Sequence, residues 1–223
     1  MPHRGHFVAI VSLSYLGRAI LASSMFEILS LAILIYSVVL HEVSHGLAAR
    51  AMGDYTAQQM GRLTLNPLKH LDMFGSFILP IITYLAAGFM FGYAKPVPYN
   101  PRNLNDHRWG PAKVGLAGPA TNIIIALICG LAIRLLGLDA PQLAIQLLFS
   151  AVIINLSLAI FNLMPVPPLD GHWLLMALLP AGSWQLRATL YRFQWALLAF
   201  SVFVLFPLVS PLIMVLAKLF SGV

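Results

Sequence analysis

Long apolar runs separated by short polar connections set the pattern of this chain. Crossing the hydrocarbon core of a bilayer takes about 20 apolar residues. Five stretches are read as crossings on that basis, at about 26–51, 74–91, 114–136, 142–163 and 193–220. Gly53 and Asp54 follow the first run and mark its end as a helix. Only the few residues GLDAP separate the third run from the fourth, so these two are expected to pack antiparallel. Pro207 and Pro211 fall inside the last run and predict a kink or a split into two pieces. The expected fold class is therefore an all-α polytopic membrane protein with five to six transmembrane helices.

The connections read differently. TAQQMGRLTLNPLKHLD, 56–72, places apolar and β-branched residues around Gly61 and Pro67, which predicts short extended pieces or a hairpin. YAKPVPYNPRNLNDHRWGP, 93–111, is rich in proline and asparagine and should be extended and turn-rich. Such backbone survives at membrane depth only when it is buried in protein or faces water, so both loops are expected at a membrane surface or lining a cavity. His70, in the first of them, is expected to face water. The first 24 residues carry Arg18 inside an apolar run and read as a short interfacial or partly inserted helix rather than a cleavable signal. No repeat or soluble insertion interrupts the pattern. The chain reads as one domain, 1–223, with a core at about 26–180 and a C-terminal membrane segment at about 186–220.

Composition sharpens this picture. The chain is 60% hydrophobic and 9% charged, against roughly 25% charged in soluble domains. The net charge of +6 is spread over the connections, which suits anionic lipid headgroups and gives no reason to invoke nucleic acid. Cys129 stands alone in an apolar run and reads as a small packing residue.

Against that background, HEVSH at 41–45 is out of place. Ionisable side chains at bilayer depth cost roughly 2.5–3.5 kcal/mol each on insertion scales and mark functional sites. Residues four apart share a helix face, so His41 and His45 can aim both imidazoles at one point, with Glu42 beside them. This is the H-E-x-x-H arrangement, in which two histidines hold Zn²⁺ and the glutamate acts as general base. A catalytic zinc needs a third protein ligand and an open position. Glu27 lies at a helix start, and Asp54, Asp72, Asp106 and Asp139 lie in connections. Asp170 differs: it sits in FNLMPVPPLDGHWLL, where prolines end a helix and Gly171 permits a turn that can point an acid back into the bundle. The alternative for Asp170 is an N-cap of the following helix, which is compatible with ligation.

HEVSH at 41–45, AGPATN at 117–122 and FNLMPVPPLDG at 161–171, with GRLTLNPLKHLD and AKPVP between them, resemble the site-2 protease family of intramembrane zinc metalloproteases. The similarity is to its short bacterial or archaeal members without a PDZ domain, and spans about 26–180. The resemblance implies an integral, multi-pass protein of a prokaryotic cell membrane, binding one Zn²⁺ per chain through His41, His45 and Asp170, with Glu42 activating water. It also draws attention to Asn122 and Asn162, which either donate hydrogen bonds to a substrate carbonyl or oxyanion or join helices together. His172 follows the LDG and is expected at most beside the site.

The implied activity is hydrolysis of peptide bonds within or near the transmembrane segments of membrane-protein or peptide substrates. An exposed strand edge in 56–72 or 93–104 is expected to hold the unwound substrate by main-chain pairing. A zinc or metal transporter is one alternative, but transport would call for further ligands along a path. A non-catalytic binder of membrane helices is the other, and such a binder has no need for Glu42.

Overall fold

The structure is a computed structural model. It describes residues 4–223 apart from 74, 76, 77, 79, 80, 83, 84, 86–93, 138, 139 and 181, with side chains described from Ser24 onward. The helices are α1 (Arg4–Ala51), α2 (Thr56–Gln59), α3 (Gly110–Leu136), α4 (Gln142–Asn162), α5 (Gly171–Leu178), α6 (Trp184–Arg192), α7 (Gln194–Phe200) and α8 (Phe206–Ser221). Among the described residues no strand is present, and the protein is all-α. Among the described residues four spans are long and apolar enough to cross a membrane: Ser24–Ala51, Gly110–Leu136, Gln142–Asn162 and Gln194–Ser221. The crossing expected at 74–91 lies largely outside the described residues. The N-terminal segment, expected as a separate short helix, is continuous with α1.

The proline-bearing last span is interrupted as its sequence requires. A π turn, Ser201–Leu205, separates α7 from α8, and Pro207 falls in the first turn of α8, where its missing N–H costs nothing. Pro211, inside α8, cannot donate to the carbonyl of Pro207, and the Ser210 hydroxyl donates to that oxygen instead at 2.9 Å.

Helix α3 is the centre of the bundle, packing against α1, α4, α5 and α8. At its far end Ala126 and Ile133 meet Val152 and Leu156 of α4 and Ile213 and Ala217 of α8 in a buried apolar cluster. Arg134 closes this end by donating from Nε to the carbonyl of Phe220 at 2.8 Å, satisfying part of the α8 C-terminus. Large apolar side chains such as Ile28, Leu31, Ile124 and Leu135 remain outside on the span surfaces, where lipid rather than water is their solvent.

The connections are extended pieces and turns rather than a hairpin. Residues 62–66 and 94–100 are irregular, and 3₁₀ turns form at Pro67–Lys69 and Pro101–Asn103, each capped by the asparagine before it. His70 is not solvated: it is 1% exposed and bonds through Nε2 to the carbonyl of Thr64 at 2.9 Å. Its own carbonyl accepts from the Lys95 N–H at 2.8 Å, and Arg62 donates to the Lys95 carbonyl at 2.8 Å, so the two loops are laced together. Burial of Arg62 and His70 follows from this lacing, which local sequence does not announce.

Asp54 fastens the second loop to the end of α1. Fully buried, its carboxylate accepts from the N–H and hydroxyl of Thr56, the N–H of Asn100 and the side-chain amide of Asn103. Burial alone would raise its pKa, but these hydrogen bonds outweigh it and hold the carboxyl below its ordinary range. Asp54→Ala strands several buried donors and is expected to cost about 3 kcal/mol of stability, read as a lowered melting temperature in detergent. Because the native pKa is depressed, this contribution is complete above the unfolded value near ~3.9 and drains away as pH falls through the native one. Wild type should therefore lose more stability than Asp54→Ala between neutral and strongly acidic pH.

Candidate active site

Helical spacing places the polar residues of α1 in one stripe. Ser37, His41 and His45 recur every four residues and face the interior, with 3%, 5% and 8% exposure. Across from them α3 presents Gly115, Gly118 and Asn122, again on one face by their spacing of three and four. The third element is the turn after α4. Pro165, Pro167 and Pro168 deny it a helix, and it folds back so tightly that a Cβ on Gly171 would lie 2.2 Å from the carbonyl of Leu163. Glycine is therefore obligatory at 171, and the residue before it is carried into the bundle.

That residue is Asp170. It stands at the N-cap of α5 but makes no side-chain cap bond. Instead its Oδ2 lies 3.0 Å from Nε2 of His41 and 3.4 Å from Nε2 of His45. The far nitrogen of each imidazole is committed elsewhere. His45 donates through Nδ1 to the carbonyl of Val114 at 2.7 Å, and Nδ1 of His41 meets Oδ1 of Asn122 at 2.5 Å.

A carbonyl accepts and never donates, so the proton of a neutral His45 resides on Nδ1, and the Asn122 oxygen places that of His41 likewise. Two Nε2 lone pairs then face one carboxylate oxygen. Such a set repels itself unless a cation sits between its members. Ligand atoms about 2.0–2.2 Å from a tetrahedral zinc lie about 3.3–3.6 Å apart, and the separations found are 3.0 and 3.4 Å. His41, His45 and Asp170 are the one group of three side chains among the described residues that could hold a metal ion, with candidate ligand atoms within 4.8 Å of one another. The donor set fits zinc.

Glycine at 118 keeps the space beside the imidazoles clear, since a Cβ there would come within 2.5 Å of both Nε2 atoms. Glu42 projects to the side of the stripe, where its Oε2 accepts the main-chain N–H of Val97 at 2.9 Å. The AKPVP segment thus lies directly over this carboxylate.

Asn122 is fully buried, with its oxygen on His41 and its amide donating to Oδ1 of Asn155 at 2.8 Å. Asn162 is not drawn into the cluster: it is half-buried and donates to the carbonyl of Leu158, one turn back on α4, at 3.0 Å. His172 is buried, with its ring nitrogens on the Leu169 carbonyl and the Tyr191 hydroxyl. Asn155 and Ser37 escaped the sequence reading, although Asn155 is as anomalous in its apolar helix as Asn122 is in its own.

The model of peptidase family M50 matches residues 29–138 and 137–208, a range that holds the histidines and the aspartate alike. The chain belongs to peptidase family M50. The resemblance to site-2 proteases drawn from HEVSH, AGPATN and the LDG segment is borne out. Over 203 residues the peptidase is 37% identical to the protein of Bacillus subtilis (strain 168) named "Putative zinc metalloprotease YwhC", covering 85% of this chain and 90% of that one. Rip2 of Mycolicibacterium smegmatis, whose name carries the same description, is 31% identical over 77% of this chain and 66% of its own. Zinc metalloprotease MJ0392 of Methanocaldococcus jannaschii is 24% identical over 92% of this chain and 50% of its own. No solved structure matches the peptidase.

The Gly118 contact supplies a direct check. Gly118→Ala should leave α3 intact, since alanine is the better helix former by about 1 kcal/mol, while forcing the imidazoles apart. Circular dichroism is expected to be unchanged and zinc bound per chain to fall to a small fraction of the wild-type value.

Proposed function

We propose that this M50 peptidase is an intramembrane zinc metalloprotease of a prokaryotic cell membrane. It would bind one Zn²⁺ per chain and hydrolyse peptide bonds within or near the transmembrane segments of membrane-protein substrates, the whole chain acting as a single protease domain. The observation that carries this reading is the meeting of His41 and His45, from one membrane span, with Asp170, from a distant broken segment, around a single buried point.

A bound zinc supplies a Lewis acid that polarises the scissile carbonyl and makes water a nucleophile near neutral pH. The chain's own residues do the rest. His41 and His45 would hold the metal through Nε2 and Asp170 through a carboxylate oxygen. Glu42 takes the proton of the attacking water and delivers it to the leaving amine. Val97 keeps the Glu42 carboxylate oriented until then. Asn162, half-buried on α4 and outside the ligand cluster, remains the amide proposed to meet a substrate carbonyl.

A transmembrane substrate hides its carbonyls in helical hydrogen bonds and has to unwind before cleavage. The extended stretch 62–66 offers a place for it, because among the described residues no hydrogen bond engages the main-chain N–H groups of Leu63 and Leu65. A transporter would instead string further ligands along a path, and the described residues hold a single cluster.

Glu42→Gln is expected to bind zinc like wild type and to lose cleavage of single-span membrane proteins by at least about 1,000-fold, whereas Asp170→Ala should lose the metal as well. Equal cleavage by Glu42→Gln would falsify the assignment of the base. For the unwinding site, Leu65→Pro should slow cleavage of a membrane substrate with zinc content unchanged. An unaffected rate would remove this stretch from substrate binding.

A further inference from the structure

Beyond the ligands lies a buried polar relay that spans three helices. Asn155 of α4 is completely buried, and its amide nitrogen donates to the carbonyl of Ala151 and to the Ser37 hydroxyl, each at 2.9 Å. Its oxygen accepts from the amide of Asn122 at 2.8 Å. A weaker contact runs from the same Asn122 amide to the carbonyl of Ser37 at 3.4 Å. Asn122 in turn presents its oxygen to Nδ1 of His41.

The direction of this relay is not free. An asparagine amide can be turned either way round, and its neighbours decide which. The Ala151 carbonyl only accepts, so the nitrogen of Asn155 has to face it, and the oxygen has to face Asn122. Asn122 then has to answer with its nitrogen, which leaves its oxygen for His41. His41 meets that oxygen with an N–H at Nδ1, and its lone pair is left at Nε2, on the side of Asp170.

We infer that Asn155 is a positioning residue that fixes the tautomer of His41, and so the metal affinity of the site, by dictating which way Asn122 faces. Asn155 makes its hydrogen bonds to Asn122, Ser37 and Ala151 and not to the ligand side chains; it acts through Asn122. The inference rests on the reading that His41 holds zinc through Nε2. Loss of an outer hydrogen-bond partner of a metal-binding histidine costs about 10–100-fold in affinity, and a partner one step further out should fall near the lower figure.

The test is zinc affinity, measured by competition with a chromophoric chelator on the detergent-solubilised full chain. Asn155→Leu is expected to weaken zinc binding about 10-fold, and Ser37→Ala, which removes one of two acceptors, by less. The decisive comparison is a double-mutant cycle. If Asn155 acts through Asn122, Asn155→Leu has no further effect on affinity once Asn122→Leu is present, whereas an independent packing defect adds to it. Additive effects, or wild-type affinity in Asn155→Leu, overturn the inference while the zinc site stands. Absence of zinc binding by wild type overturns both. Should Asn155→Leu fail to fold, Asn155→Ala, which leaves a cavity in place of the amide, carries the same cycle.

Discussion

Three electron-pair donors are held face to face in a buried place, and the rest of the architecture is arranged to keep them there. Left alone, the Nε2 atoms of His41 and His45 and the carboxylate of Asp170 would turn away from one another. They do not, because each is pinned from behind: His45 by the Val114 carbonyl, His41 by Asn122, and Asp170 by a turn too tight to admit a side chain at Gly171. The convergence is thus built into the backbone and the polar relay before a metal arrives. That is the meaning of preorganisation at such a site, and it relieves the ion of ordering its own ligands.

Helix α3 does most of this positioning without contributing a ligand. Its small residues let α1 and the LDG turn approach closely, while Asn122 and the carbonyl of Val114 set the orientation of both imidazoles. In lipid there is no hydrophobic force to drive helices together, so close backbone approach and interhelical hydrogen bonds carry the association. The same residues that hold the bundle together therefore aim the ligands. A buried amide left half-satisfied would cost about 1–3 kcal/mol, which is a physical reason for the relay to be complete from Ala151 to His41.

The loops complete the site from outside the spans. Asp54 on the Asn100 N–H, Arg62 on the Lys95 carbonyl and His70 on the Thr64 carbonyl tie the two loops into a platform, and Val97 in that platform meets Glu42. A carboxylate that accepts a main-chain N–H of the AKPVP segment is kept from wandering. This gives the otherwise irregular polypeptide at 94–100 a reason for its proline content: extended backbone, held at few points, with little entropy left to lose.

Periodicity and chemistry alone determined four of the membrane spans, the pairing of His41 with His45, the place of Glu42 beside them and the candidacy of Asp170. These are local facts: a four-residue spacing fixes a helix face, a run of leucines fixes a solvent, and a proline-bracketed acid fixes a broken segment. Tertiary structure alone decided that Asp170 turns from its N-cap toward the imidazoles and that His70 is buried. It also decided that Asn122 spends its oxygen on His41 and that Asn155 and Ser37 stand behind it. Those outcomes depend on which helix faces which, and on the direction each hydrogen bond takes when an acceptor-only carbonyl is its neighbour. No spacing along a single segment encodes a partner some 30 to 130 positions away.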